Sequence, residues 1–203
     1  MSDILLHEVK GKSEIITFNN PNKLNVLSDE MLELLLNALE KSSSNPKTKV
    51  VIIKSTGKAF CAGHDLKEMQ NARINSDEGI GYFKDLFKRC SKVMLKIKNL
   101  PKPVIAEVQG IATAAGCQLV ATCDIAIASK NASFGVNGVN IGLFCSTPMV
   151  ALSRNISRKK TFEMLVTGDF LTANDAKEAG LINHVTEENE LSNKTNEIAQ
   201  KIT

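Results

Sequence analysis

No apolar run in this 203-residue chain approaches the roughly 18 to 20 residues needed to cross a bilayer, which excludes a helical membrane span. No C-x-x-C pair occurs among the five cysteines (Cys61, Cys90, Cys117, Cys123 and Cys145), and their number is odd. A disulfide framework and a zinc site are both disfavoured, and the expectation is reduced, mostly buried thiols with no bound metal. Basic clusters are missing too: the net charge is only +3 and the lysines are scattered, so nucleic acid is a poor partner. The first eight residues carry acids and lack both a basic leader and an Arg-rich stretch, so the location reads as cytoplasmic. Internal repeats, linkers and low-complexity tracts are also absent. What remains is 43% hydrophobic and 23% charged residues, enough to bury the core of one domain over residues 1–203.

Alternating strand and helix patterns point to the α/β class with a helical C-terminal part. Ile4–Val9 and Glu14–Phe18 flank a Lys10-Gly11-Lys12 turn and predict a β-hairpin. Ser28 suits an N-cap, with Asp29 and Glu30 in the first turn and Leu32, Leu35, Leu36 and Leu39 at helical spacing. Val50–Ile53, Val104–Val108 and Asp124–Ala128 read as buried strands, and Ala132–Phe134 and Val139–Ile141 as short extended pieces. Asn71–Glu78 is polar and irregular; Phe83 to Ile97 carries the apolar stripe of a long helix that stops before Pro101. From Pro148 onward the pattern reads as helical, with Thr172 as a cap and Gly180 as a stop.

Two small-residue turns dominate the chemistry. Lys58-Ala59-Phe60-Cys61-Ala62-Gly63-His64-Asp65-Leu66 and Gln109-Gly110-Ile111-Ala112-Thr113-Ala114-Ala115-Gly116-Cys117-Gln118 each follow an apolar strand and lead into a helix. Such turns leave unpaired backbone N–H groups where the helix dipole favours negative charge. Two of them aimed at one point make an oxyanion hole and suggest chemistry on a carbonyl compound.

The residues of the first turn, continued by Lys67-Glu68-Met69, resemble the first oxyanion-hole segment of the crotonase (enoyl-CoA hydratase/isomerase) superfamily. Gly110 to Gln118, followed by Thr122-Cys123-Asp124-Ile125-Ala126-Ile127-Ala128, resembles the second. Phe134-Gly135, Ile141-Gly142, Leu165-Val166-Thr167-Gly168 and Ala176 to Ile182 extend the likeness over nearly the whole chain. The Thr113–Gln118 form is similar to one particular branch, which has bacterial members.

The resemblance implies the crotonase-like (ClpP/crotonase) spiral ββα fold over residues 1–185, with 186–203 starting a C-terminal helical region. It implies an acyl-CoA thioester as partner, with no cofactor beyond the coenzyme A of the substrate. The thioester oxygen would be held by the backbone N–H groups of His64 and Ala115. His64, Asp65, Leu66 and Lys67 match the stretch lining the CoA and thioester path, Ala62 the position near the adenine, and Lys23 and Leu24 a loop that also approaches CoA. A homotrimer or hexamer is implied as well, but relatives continue for several tens of residues beyond the helix that Thr203 ends, so either the chain is truncated or the protein is a short variant.

Hydratases of this family use two glutamates, and here Gln118 matches the first position and Gly138 the second, or Asn137 if the register slips by one. Glutamine can hold a water but cannot take its proton, and such acid–base help is worth about 10²–10⁴-fold. Ordinary hydration is therefore disfavoured. A reaction needing little acid–base help, such as decarboxylation of a malonyl-type thioester, suits the turns better. Two readings stay beside it: a binding or regulatory module that does not turn acyl-CoA over, and a thioesterase in which Gln118 holds water.

Several other side chains remain open to more than one reading. The His64 ring can serve as an acid or base, or only its backbone can act. Cys145 and Ser146 lie where relatives place an acyl-pocket residue or a nucleophile. Asn137 and Asn140 can position a water or carboxylate, or satisfy local backbone. Cys61 and Cys117, beside the oxyanion positions, read as small hydrophobes or as reactive thiols. Asp124 reads as a structural cap, and His7 and His184 have no assigned role.

Overall fold

The computed structural model describes residues 4–203. Strands β1 (Leu5–Lys10) and β2 (Ser13–Phe18) form the expected antiparallel hairpin. The Ser28 hydroxyl accepts from the Met31 N–H at 3.2 Å and starts α1 (Asp29–Ser44), which buries Met31, Leu32, Leu35 and Leu39. The chain continues through β3 (Val50–Ser55), β4 (Ala59–Cys61), α2 (Leu66–Ala72), α3 (Ile80–Lys98), β5 (Val104–Val108), β6 (Ile111–Thr113) and α4 (Ala115–Thr122). It then forms β7 (Ile125–Ser129), β8 (Ser133–Gly135), α5 (Ser146–Leu152), α6 (Arg158–Thr167), β9 (Phe170–Thr172), α7 (Ala173–Glu178), β10 (His184–Thr186) and α8 (Leu191–Ile202).

Three times the chain runs a long strand in one sheet, a short strand in a second sheet, and then a helix: β3-β4-α2, β5-β6-α4 and β7-β8-α5. The larger sheet has the order β1-β2-β3-β5-β7-β10 and is parallel except at its first pair. The smaller has the order β4-β6-β8-β9 and is parallel except at its last. This is the spiral ββα arrangement. Because β4 and β6 are parallel neighbours, the turns leading into α2 and α4 leave the small sheet at the same end, side by side.

The unbroken apolar run Val50–Ile53 follows from burial on both faces of the large sheet. Val51 and Ile53 face the main core with Leu35, Leu39, Val93 and Ile97, whereas Val50 and Ile52 face Leu191 and Ala199 of α8. All five cysteines are free thiols, four of them buried.

Three local expectations are corrected. The helices expected at Pro148–Arg154, Arg158–Val166, Ala173–Glu178 and Glu188–Thr203 are present as α5 to α8, but the gaps between them hold strands, β9 at the edge of the small sheet and β10 at the edge of the large one. Each is three residues long, too short for an alternating pattern to register. Val139–Ile141 is not extended; it belongs to a 3-10 turn, Asn137–Ile141, closed by Gly142 at φ +75. Asn71–Glu78 gives α2 its last two residues and then runs through successive turns, the last held by Asp77 accepting from the Gly79 and Gly81 N–H groups.

Candidate active site

The two small-residue turns touch because glycine stands where they meet. A Cβ on Gly116 would lie 2.1 Å from the Cys61 carbonyl oxygen, and one on Gly63 would lie 3.0 Å from Ala114 Cβ and 3.4 Å from the Ala115 nitrogen. Gly116→Ala is accordingly predicted to cost about 1–3 kcal/mol or more of stability by forcing the turns apart, measurable as a lowered thermal midpoint. Ala114, between them, has φ 51 and ψ −120, a conformation that costs a side-chain-bearing residue about 1–3 kcal/mol. Its N–H donates to the Gly135 carbonyl at 2.9 Å, which fixes it there.

This strained corner aims the start of α4. Ala115 is the first residue of the helix, and among the described residues no acceptor takes its N–H. On the other turn, Leu27 pairs with His64 as a parallel bridge, and the Leu27 N–H donates to the Gly63 carbonyl at 2.7 Å. In such a bridge one residue bonds to the neighbours of the other, so the His64 N–H itself points away from Leu27.

Beside the two turns lies a cavity of about 250 Å³. Ala62 and His64 contribute from the first turn, Thr113, Ala114 and Ala115 from the second. Leu66 and Met69 of α2 and Phe87 of α3 form one wall. Asn137, Gly138 and Ile141 of the 3-10 turn, with Leu143 to Pro148 leading into α5, form the other. No Asp, Glu, Lys or Arg is among these lining residues.

Its polar groups are neutral. Burial pushes the His64 imidazole below its ordinary range; the Leu27 backbone and Asp29 act in the opposite sense, and Arg89 adds to the lowering. The ring stands edge-on to Phe87, centroids 5.8 Å apart, and its buried Nδ1 has no partner among the described residues. Burial also raises the thiols: Cys61 and Cys117 to about 12, Cys145 in the same direction despite an opposing backbone contact from Gly138. They are held as thiols rather than thiolates. The Thr113 hydroxyl donates to Asn137 Oδ1 at 2.6 Å.

The remaining sequence-predicted residues stand around this cavity rather than on it. Asp65 is buried and its carboxylate caps α2, accepting from the Lys67 and Glu68 N–H groups. Lys67 is exposed. Lys23 and Leu24 are exposed on a loop whose Leu24 carbonyl accepts from the Ala62 N–H at 3.1 Å, which brings them beside the first turn. Gln118 lies one turn deeper in α4, buried, with its Oε1 unpartnered among the described residues and outside the cavity lining. Asp124 accepts from the Val104 N–H at 2.7 Å, a structural tie between strands.

Sequence reasoning missed Met69, Leu143 and Phe144, which line the cavity, and Asn25, which ties the Lys23–Leu24 loop to the strand before the first turn. Asn25 is fully buried, donates to the carbonyls of Thr56 and Ala59, and accepts from the Asn20 N–H. Consecutive positive φ at Leu24 and Asn25 is the backbone cost of that turn. Phe87 sits on the expected α3 stripe, yet it is half-exposed and faces the cavity.

Residues 11–203 match the enoyl-CoA hydratase/isomerase family. The chain belongs to that family. Among curated relatives it is 48% identical over 187 residues to enoyl-CoA hydratase domain-containing protein 3, mitochondrial, of Homo sapiens, covering 92% of this chain and 60% of the relative. Its likeness to the Danio rerio protein of the same name is 45% over 201 residues, 99% of this chain and 68% of that one. The chain thus spans about two thirds or less of these relatives. Among solved structures, an enoyl-CoA hydratase of Mycobacterium smegmatis superposes with a TM-score of 0.93 at 48% identity, covering 99% of this chain and 77% of that one. The human domain-containing protein 3 superposes with a TM-score of 0.92 at 45% identity, covering 98% and 77%. The fold is therefore that of the crotonases. The cytoplasmic expectation is corrected, because both of these curated relatives are named mitochondrial.

Proposed function

We propose that this family member binds an acyl-CoA and stabilises the enolate of its thioester with the N–H groups of His64 and Ala115, by a route other than ordinary hydration. The observation that carries this reading is the cavity without a single carboxylate beside an unpaired helix-start N–H. Hydration needs one group to take a proton from water and one to supply the α-carbon. Neither proton carrier is a carboxylate here. At Gly138 a side chain has no room either, since a Cβ there would lie 2.8 Å from the Leu143 carbonyl and 2.9 Å from Cys145 Sγ, and Asn137 beside it is a neutral amide. Gln118, in the first position, remains neutral and can at most orient a water.

The chemistry this favours starts from a malonyl-type thioester. The bond from the α-carbon to its carboxyl group breaks, CO₂ leaves, and the bonding electron pair passes into the enolate, whose oxygen rests on the two N–H groups. Solvent then supplies the α-proton. Lys23, Leu24, Ala62, Leu66 and Lys67 flank the path for the CoA portion, and Ile141, Leu143, Phe144 and Cys145 receive the acyl group. The relatives' mitochondrial location and a trimeric or hexameric assembly belong to the same proposal.

A turnover screen over crotonyl-, acetoacetyl-, malonyl- and methylmalonyl-CoA tests it. Release of CO₂ from a malonyl-type thioester with slow or no hydration of crotonyl-CoA is the expected result. Rapid crotonyl-CoA hydration overturns it. The carboxylate-free cavity also favours a second reading, acyl-CoA binding without turnover, which silence across the panel together with tight binding would establish.

A further inference from the structure

Asn137 offers the cavity something the enolate mechanism does not use. Its Oδ1 takes the Thr113 hydroxyl at 2.6 Å. The structure thus sets the amide with its oxygen toward Thr113. The Nδ2 group is left over as a donor, and no described residue accepts from it. Thr113 stands two residues before Ala115, so the donor is anchored to the same turn that carries the Ala115 N–H. Both residues line the cavity, where no carboxylate competes for the donor and the side chains of the nearby Ile141, Leu143 and Phe144 carry no hydrogen-bonding group.

We infer that Asn137 is a specificity-determining residue, donating from Nδ2 to a second carbonyl-type oxygen on the β-carbon of the acyl group. The assignment rests on the acyl-CoA reading above and names its substrate class: thioesters bearing a β-carboxylate or β-ketone, in preference to plain saturated chains. Thr113 is a positioning residue for that amide. A saturated acyl group leaves the amide donor buried under the ligand without an acceptor, and that lost hydrogen bond is the source of discrimination.

Calorimetric titration of the wild-type chain with acetoacetyl-CoA and butyryl-CoA, and displacement of acetoacetyl-CoA by malonyl-CoA over times short against its turnover, separates the possibilities. Affinity for acetoacetyl-CoA should exceed that for butyryl-CoA by about three- to tenfold, and affinity for malonyl-CoA by about ten- to hundredfold, in line with neutral and charge-assisted hydrogen bonds. Asn137→Ala should collapse both ratios toward one, and Thr113→Val should reduce them in part. Asn137→Asp should weaken malonyl-CoA more than acetoacetyl-CoA, because like charges then meet. Equal wild-type affinity for all three thioesters, or a preference that survives Asn137→Ala, overturns the assignment while leaving acyl-CoA binding intact. Failure of all three to bind overturns the acyl-CoA reading and this assignment with it.

Discussion

Replacing Ala115 with proline is expected to lower turnover of a malonyl-type thioester by about 10²–10³-fold. Proline replaces the N–H hydrogen at the start of α4 with a ring methylene, which removes the donor. The first helical position is where proline is best tolerated, since its fixed φ suits the helix and its missing donor has no intrahelical partner to lose. One donor to a developing oxyanion is worth about 2.7–4 kcal/mol of barrier, which gives the expected range. That interaction strengthens as charge moves onto oxygen, so kcat should fall, and kcat/KM at least as far, because the ring methylene also crowds the thioester oxygen. Ala115→Gly retains the N–H and should keep most of the rate. A proline variant with wild-type turnover, or a glycine variant equally inactive, would show that the Ala115 N–H does not carry the charge.

The paired turns were legible because their signal is local and compositional. Runs of Ala, Gly and Cys between an apolar strand and a helix start leave few alternatives for the backbone. The contact between them was only partly legible: Gly116 against the Cys61 carbonyl depends on β4 and β6 being parallel neighbours, a long-range pairing. Part of the cavity wall was not legible at all. Leu143 and Phe144 sit in an irregular stretch after a 3-10 turn, where neither a two-residue nor a 3.6-residue period applies. Phe87 was visible as apolar but its environment was not, since a helix stripe does not say which of its members meets the core and which a cavity. Gln118 shows the converse limit: its position in the turn motif was plain, yet its side chain lies behind the cavity lining.

Glu14 was equally hidden, and removing it should cost the fold a large part of its stability. Strand alternation puts Glu14 on the face of β2 that looks toward the end of α1, where it is 1% exposed. Its carboxylate accepts from the hydroxyls of Ser42 and Thr48 at 2.5 and 2.6 Å, from Asn45 Nδ2 at 3.0 Å, and bonds His7 Nε2 at 2.7 Å. Lys102 Nζ stands 3.9 Å away and donates to the carbonyls of Ser42 and Asn45, where the negative end of the helix dipole favours a cation. His7, with no role assigned from sequence, thus has a structural one. Five segments meet on one carboxylate. Glu14→Ala leaves the nearly buried Lys102 without its counter-charge and strands several donors, an expected loss of about 3–5 kcal/mol in denaturant melts. Burial raises the Glu14 pKa as the largest single influence, but the bonds from Ser42, Thr48, His7 and Asn45 together bring it below the ordinary carboxylate value. A lowered folded-state pKa means stability fully present above the unfolded value, about 4.3, and lost as pH falls through the folded value. Thermal midpoints measured from pH 7 down to pH 3 should therefore drop more steeply for the wild type than for Glu14→Gln, which starts lower but has no proton to bind. Parallel acid limbs for the two proteins would show that Glu14 is not the group whose ionisation the fold depends on.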